Sequence, residues 1–132
     1  MRREIVHIKD MPKSNLPFNH VVKAGNILYL TSQLSCNLIT GEILKGSVKD
    51  QTRNAMENIK YLLEQANSSM GNIIDVTIYM RNLNDFHDMN NVYREYFISG
   101  EEPARVVVKA ESPLDNIDIE IKVTALVNDV LL

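Results

Sequence analysis

Two short stretches of the chain hold side chains whose types and spacing could do chemistry. In "EEPARVVVKA", Arg105 follows a proline and an alanine at the mouth of a valine run, and in "NIDIEIKV", Glu120 sits in an alternating segment. A guanidinium offers paired donors that match the oxygens of a carboxylate, and a neighbouring carboxylate can relay a proton or orient water. If these stretches are adjacent antiparallel strands turned at "SPLD", Arg105 stands opposite Glu120, Val107 opposite Asp118 and Lys109 opposite Asn116. Such a pair has two readings: a cross-strand ion pair worth about 0.2–1 kcal/mol when exposed, or a site for a small carboxylate.

Other reactive side chains offer less. Cys36 is the single cysteine, which excludes an intramolecular disulfide and a multi-cysteine zinc site, suits a reducing compartment and fits a small buried hydrophobe. His7, His20 and His87 show no metal-ligand spacing, so surface or cleft-edge roles are expected of them rather than metal ligation. The formal charge is −3 with scattered Lys and Arg, so nucleic acid is a poor partner. "MRREIVHIKDM" has arginines but no long apolar run behind them, which predicts neither a signal peptide nor a membrane span. The expectation is a cytoplasmic protein of one domain spanning residues 1–132, with no membrane partner.

The elements that must position Arg105 and Glu120 are legible as changes of period. "EIVHI" alternates as a first strand, and "HVVKAGNILYLTSQLS" reads as two strands turned at Ala24, Gly25 and Asn26. "NLITGEI" is a second turn with Gly41 free to take a positive φ. From Ser47 the period becomes helical: Val48, Thr52, Ala55, Met56, Ile59, Leu62, Leu63 and Ala66 share a stripe, and Ser47 with Asp50 forms a capping box. "NSSMGN" ends that helix, with Asn67 read as its exit rather than a glycosylation site. "NIIDVTIYMRN" is a strand; "NLNDFHDMNNVYREYF" is a second helix, capped by Asn84, with Phe86, Met89, Tyr93 and Phe97 inward. "ARVVVKA" and "NIDIEIKVTALV" are two further strands.

Strands alternating with two helices predict an α+β fold, a mixed sheet of about six strands with both helices on one face. In the last strand Ile117, Ile119, Ile121, Val123 and Ala125 point one way, and Asp118, Glu120, Lys122 and Thr124 the other. Two helices cover only one face. The other is either a solvated polar face or one buried in a homo-oligomer whose charges line clefts between copies.

The order of elements and the words "TGEI", "NDFHDMNNVYREYF", "PAR" and "IDIE" together resemble the RidA family, also called YjgF/YER057c/UK114, of enamine and imine deaminases. The resemblance runs over essentially the whole chain. It implies a chorismate-mutase-like homotrimer with clefts between subunits that hydrolyses 2-imino and 2-aminoacrylate acids to 2-oxo acids and ammonia, without metal or cofactor. It further implies that Arg105 holds the substrate carboxylate, Glu120 positions water or relays a proton, and Asn90 lies near the cleft. Three positions depart from the family pattern: Phe18 stands where a tyrosine is usual, "TSQ" lacks the glycine of "SGQ" beside Ser32 and Gln33, and Val107 replaces a Cys or Thr. These side chains are expected to contact substrate in a reshaped cleft. A non-catalytic trimer that binds small 2-oxo acids, or a regulatory one, is the competing expectation. A ribonuclease, a label often attached to the family, fits the acidic composition poorly.

Overall fold

The computed structural model describes residues 2–129. Strands β1 (Arg3–Ile5), β2 (Val21–Ala24) and β3 (Ile27–Leu30) form an antiparallel meander. Its second turn is only Gly25 and Asn26, with Gly25 at φ 59°, a left-handed conformation that suits a two-residue hairpin and that glycine adopts without steric cost. Helix α1 (Val48–Gln65) begins at a complete capping box: the Ser47 hydroxyl accepts from the Asp50 N–H, and the Asp50 carboxylate accepts from the Ser47 N–H. Its expected apolar stripe is the buried one, from Val48 through Leu63.

Strand β4 (Ile73–Met80) follows, then helix α2 (Phe86–Tyr93), flanked by one 3₁₀ turn at Leu83–Asp85 and another at Arg94–Tyr96. The expected cap at Asn84 is corrected here. The Asn82 side chain accepts from the Asn84 N–H and caps the preceding 3₁₀ turn, so chain reversal starts two residues earlier. Strands β5 (Ala104–Lys109) and β6 (Ile119–Leu126) complete a six-stranded sheet of order β1-β2-β3-β6-β4-β5.

That order overturns the hairpin expected between β5 and β6. Strand β4 lies between them, parallel to β5 and antiparallel to β6, with Val76 in register with Arg105 and Tyr79 in register with Glu120. The "SPLD" segment is part of a crossover at residues 110–118 that passes the end of β4: Ala110 N–H donates to the Met80 carbonyl, and Arg81 N–H to that of Asp118. Both eight-residue strands present a full apolar row, Val76, Ile78 and Met80 beside Ile119, Ile121 and Val123, so they pair as the sheet's centre. The shorter β5 is left at the edge.

Both helices pack on one face, where Leu28, Met56, Ile59, Ile78, Met89 and Ile121 are fully enclosed. On the other face Tyr29, Val106, Val108 and Leu126 stay exposed. Among the described residues no helix is long and apolar enough to cross a membrane.

Helix α1 is locked to the start of β6 by one polar side chain on its apolar stripe. Gln51 is almost wholly enclosed; its Oε1 accepts from the Asp118 N–H at 2.8 Å, and its Nε2 donates to Asp118 Oδ2 and the Gly46 carbonyl, both at 3.0 Å. Gln51→Leu keeps the volume but strands these partners. Urea denaturation should show a loss on the order of 1–3 kcal/mol; an unchanged midpoint would mean the clamp contributes nothing.

Candidate functional site

Glu120 is positioned by an interruption in the ladder between β3 and β6. Regular pairing stops at Tyr29 with Thr124 and resumes at a bridge between Gln33 and Ile121, so Leu30, Thr31 and Ser32 oppose only Lys122 and Val123. An extra residue on one strand bends it and re-aims its side chains. Here Ser32 Oγ donates to Glu120 Oε1 at 2.9 Å, and Lys122 Nζ donates to the Leu30 carbonyl at 2.8 Å. Ser32, Tyr79, Glu111, Asp118, Glu120 and Lys122 line a cleft of about 270 Å³ on the sheet face away from the helices. Gln33, expected to touch substrate, is buried; its backbone pairs with Ile121 and its Nε2 folds back onto the Thr31 carbonyl at 3.2 Å. It stays beside the bulge, where Gln33 and Ser32 line a common cavity.

Arg105 is elsewhere. Its Nη1 donates to Asn90 Oδ1 at 2.7 Å, and its guanidinium carbon lies 4.8 Å from the Tyr93 ring centre and 5.8 Å from that of Phe86. Helix α2 thus orients it through one hydrogen bond and two aromatic faces. Among the described residues it has no carboxylate partner within ion-pair distance. The cavity beside it, about 460 Å³, is also lined by Arg94, Phe97 and Glu102. The Tyr93 hydroxyl is buried with no hydrogen-bond partner; burial pushes its pKa up to about 12, with Arg105 pulling down and Glu102 adding to the rise. Val107, on the same face as Arg105, is half-buried against the core, and its register partner is Ile78.

The expected residues therefore fall into two groups, Arg105 with Asn90 and Glu120 with Ser32. Val76 and Tyr79 are three apart on β4, so their register partners Arg105 and Glu120 project from opposite faces of the sheet. The expected contact between the guanidinium and the carboxylate does not form within one chain. Phe18 belongs to Glu120's side: with Ser32 it lines a further cavity of about 400 Å³, and its ring meets His20 edge-on at 5.4 Å. His20 lines the same cavity, and its Nδ1 is buried without a hydrogen-bond partner. Cys36, half-buried, lines the same cavity, and burial raises its pKa.

Sequence reasoning missed Gln51, Lys122 and the aromatic cradle of Phe86 and Tyr93. Gln51 had a signal, a polar residue three after Val48 on an apolar stripe. The cradle had none, because those rings read as ordinary core spacing.

Comparison with known proteins identifies relatives over nearly the full length. A family model described as Endoribonuclease L-PSP matches residues 8–127. A RutC family protein of Pyrococcus horikoshii is 44% identical over 124 residues, covering 93% of this chain and 97% of the relative. A protein of Dermatophagoides farinae named 2-iminobutanoate/2-iminopropanoate deaminase is 32% identical over 120 residues, covering 91% and 93%. The crystal structure of E. coli TdcF with bound serine superposes with a TM-score of 0.82 at 29% identity, covering 95% of this chain and 99% of that one.

The half-buried His20 gives stability a pH dependence with a defined sign. Burial lowers its pKa in the folded chain, so the unfolded chain holds the proton more tightly. The associated stability is fully present above the unfolded value of about 6.5 and is lost as pH falls through the folded value. Melting temperature should drop more steeply on acidification for the wild type than for His20→Phe; parallel profiles would contradict this.

Proposed function

The chain belongs to the Endoribonuclease L-PSP family, also called YjgF/RidA, and from that premise we propose that it hydrolyses 2-imino and enamine acids to 2-oxo acids and ammonia. An enamine first tautomerises to the imine, its β-carbon gaining a proton as the nitrogen loses one. Water then adds to the C=N carbon and the tetrahedral adduct expels ammonia, so atoms balance with no redox partner. The observation that carries the reading is the bond between Ser32 and Glu120 at 2.9 Å in an open cleft. One carboxylate oxygen is fixed by the serine, and among the described residues the other accepts no hydrogen bond, free to hold water or take its proton. The name of the mite relative points the same way.

The substrate carboxylate needs a cation, and Arg105 is the candidate because among the described residues no carboxylate lies within ion-pair distance of it. Its position on the other face of the sheet requires a second copy. Val106 and Val108 are exposed on the Glu120 face of the edge strand β5. Packing that face against another copy buries them and brings the edge, with Arg105 at its start, toward a neighbour's Glu120. Three such contacts close a homotrimer with one cleft per pair of subunits. Binding of small 2-oxo acids without turnover is the second reading. It is favoured by Phe18 and Val107, neither of which offers a polar side chain, and by the serine bound to E. coli TdcF.

2-Iminobutanoate generated in situ by threonine dehydratase should decay faster with the protein present. Arg105→Ala and Glu120→Gln should each lose roughly 10²–10⁴-fold of that acceleration. No acceleration by the wild type, with saturable binding of 2-oxobutanoate, would instead select the second reading. Sedimentation should give a mass near three chains; a monomer at micromolar concentration would overturn the shared cleft.

A further inference from the structure

Beside the Glu120 cleft, across Ser32, lies a cavity of different character. About 400 Å³ in volume, it shares Ser32 with that cleft, yet no Asp, Glu, Lys or Arg lines it, whereas Glu111, Asp118, Glu120 and Lys122 line the first. Its rim gathers large apolar side chains from three separate loops: Leu16 is 63% exposed, Ile39 50%, Leu114 45% and Phe18 36%. Single exposed apolar residues are ordinary, but four converging on one uncharged hollow form a patch.

The loops that present them are braced. Asn37 Oδ1 accepts from the Ile39 and Thr40 N–H groups at 2.9 and 3.1 Å, and Gly41 N–H donates to the Asn37 carbonyl at 2.7 Å. Leu16 N–H donates to Ser14 Oγ at 3.0 Å, Phe18 N–H to the Leu16 carbonyl at 2.8 Å, and Leu114 N–H to Ser112 Oγ at 3.2 Å. A cavity held this way is formed before its occupant arrives, so binding does not also have to order the walls.

We infer that this cavity is a subsite for the substrate's side chain and that it selects 2-imino acids bearing a branched aliphatic or aromatic group over those with one or two side-chain carbons. The inference rests on the reading of the Ser32–Glu120 cleft as a small-acid site. With the imine carbon beside Ser32 and Glu120 and the carboxylate at a neighbouring copy's Arg105, the substituent at that carbon has the Ser32 wall to pass along. Beyond that wall lie Leu34, Phe18, Ile39 and Leu114. The lining holds His20 and neutral polar groups but no Asp, Glu, Lys or Arg, so an acidic or basic side chain would be desolvated there without a carboxylate, ammonium or guanidinium partner. The phenylalanine at position 18 acquires a role: it removes a hydroxyl from the entrance to an apolar hollow.

Calorimetry on the wild-type protein tests the subsite without relying on turnover, using 2-oxopropanoate, 2-oxobutanoate, 4-methyl-2-oxopentanoate and 3-phenyl-2-oxopropanoate. One added methylene in an apolar pocket is worth on the order of 10-fold or more, so the two larger acids should bind at least about 10-fold tighter than 2-oxopropanoate. Ile39→Asp and Leu114→Asp alter exposed positions that do not support the core, and each should shrink that ratio. Equal or weaker binding of the larger acids, as expected if another copy covers the cavity, would overturn the subsite; so would a ratio unmoved by both variants.

A parallel kinetic arm separates the two claims, with imines made by an amino-acid oxidase from alanine and leucine. Size-selective binding with no turnover of either imine would remove the deaminase reading and keep the subsite. Turnover favouring the alanine-derived imine, with no binding preference, would do the reverse. Loss of both binding and turnover would remove both.

Discussion

The placement of β4 between β5 and β6 is the constraint on which the rest depends. Because side chains alternate along β4, its odd spacing from Val76 to Tyr79 sends the residues registered with them to opposite faces. Arg105 is thereby committed to the α2 side at a sheet edge, and Glu120 to the face without helices. Neither can be moved to the other's side by a rotamer change, since the intervening sheet is a packed layer with Val76 and Ile78 sealed in the core. A catalytic pair drawn from these two residues is therefore a property of an assembly.

Within one chain the structure prepares each half separately. On the Glu120 side, Gln51 fixes the entry to β6, the bulge at Leu30–Ser32 turns the serine hydroxyl onto the carboxylate, and Lys122 satisfies the carbonyl at the interrupted ladder. On the Arg105 side, Asn90 and the rings of Phe86 and Tyr93 hold the guanidinium, which among the described residues has no carboxylate within ion-pair distance. Each group is thus held by its own chain, so a ligand contacting either one would not have to order it.

How much of this the sequence disclosed follows from the range of the interactions. Helix α1 was legible down to its capping box, because cap, stripe and exit are local signals. The two-residue turn at Gly25 and the alternation in β4 and β6 were legible for the same reason. The partner of β5 was not: a nine-residue crossover containing Pro113 carries the same turn vocabulary as a hairpin, and strand choice is decided by non-local packing. Arg105 and Glu120 stand out in the sequence as polar residues in apolar strands, but the hairpin that would pair them is replaced by two strands separated by β4. Gln33 pairs through its backbone with Ile121 across the bulge while lining the cavity it shares with Ser32 and Phe18, a placement visible only once the register with Ile121 is known.

Mixing two variants that are each disabled at a different half tests the shared site most directly. Arg105→Ala and Glu120→Gln protein, unfolded together in equal amounts and refolded, should regain deaminase activity at about a quarter of the wild-type sites, since random assembly pairs an intact arginine with an intact glutamate at that frequency. Separately refolded variants should stay inactive. If the mixed assemblies regain nothing while each variant still forms trimers, Arg105 and Glu120 do not meet across subunits and the account is wrong.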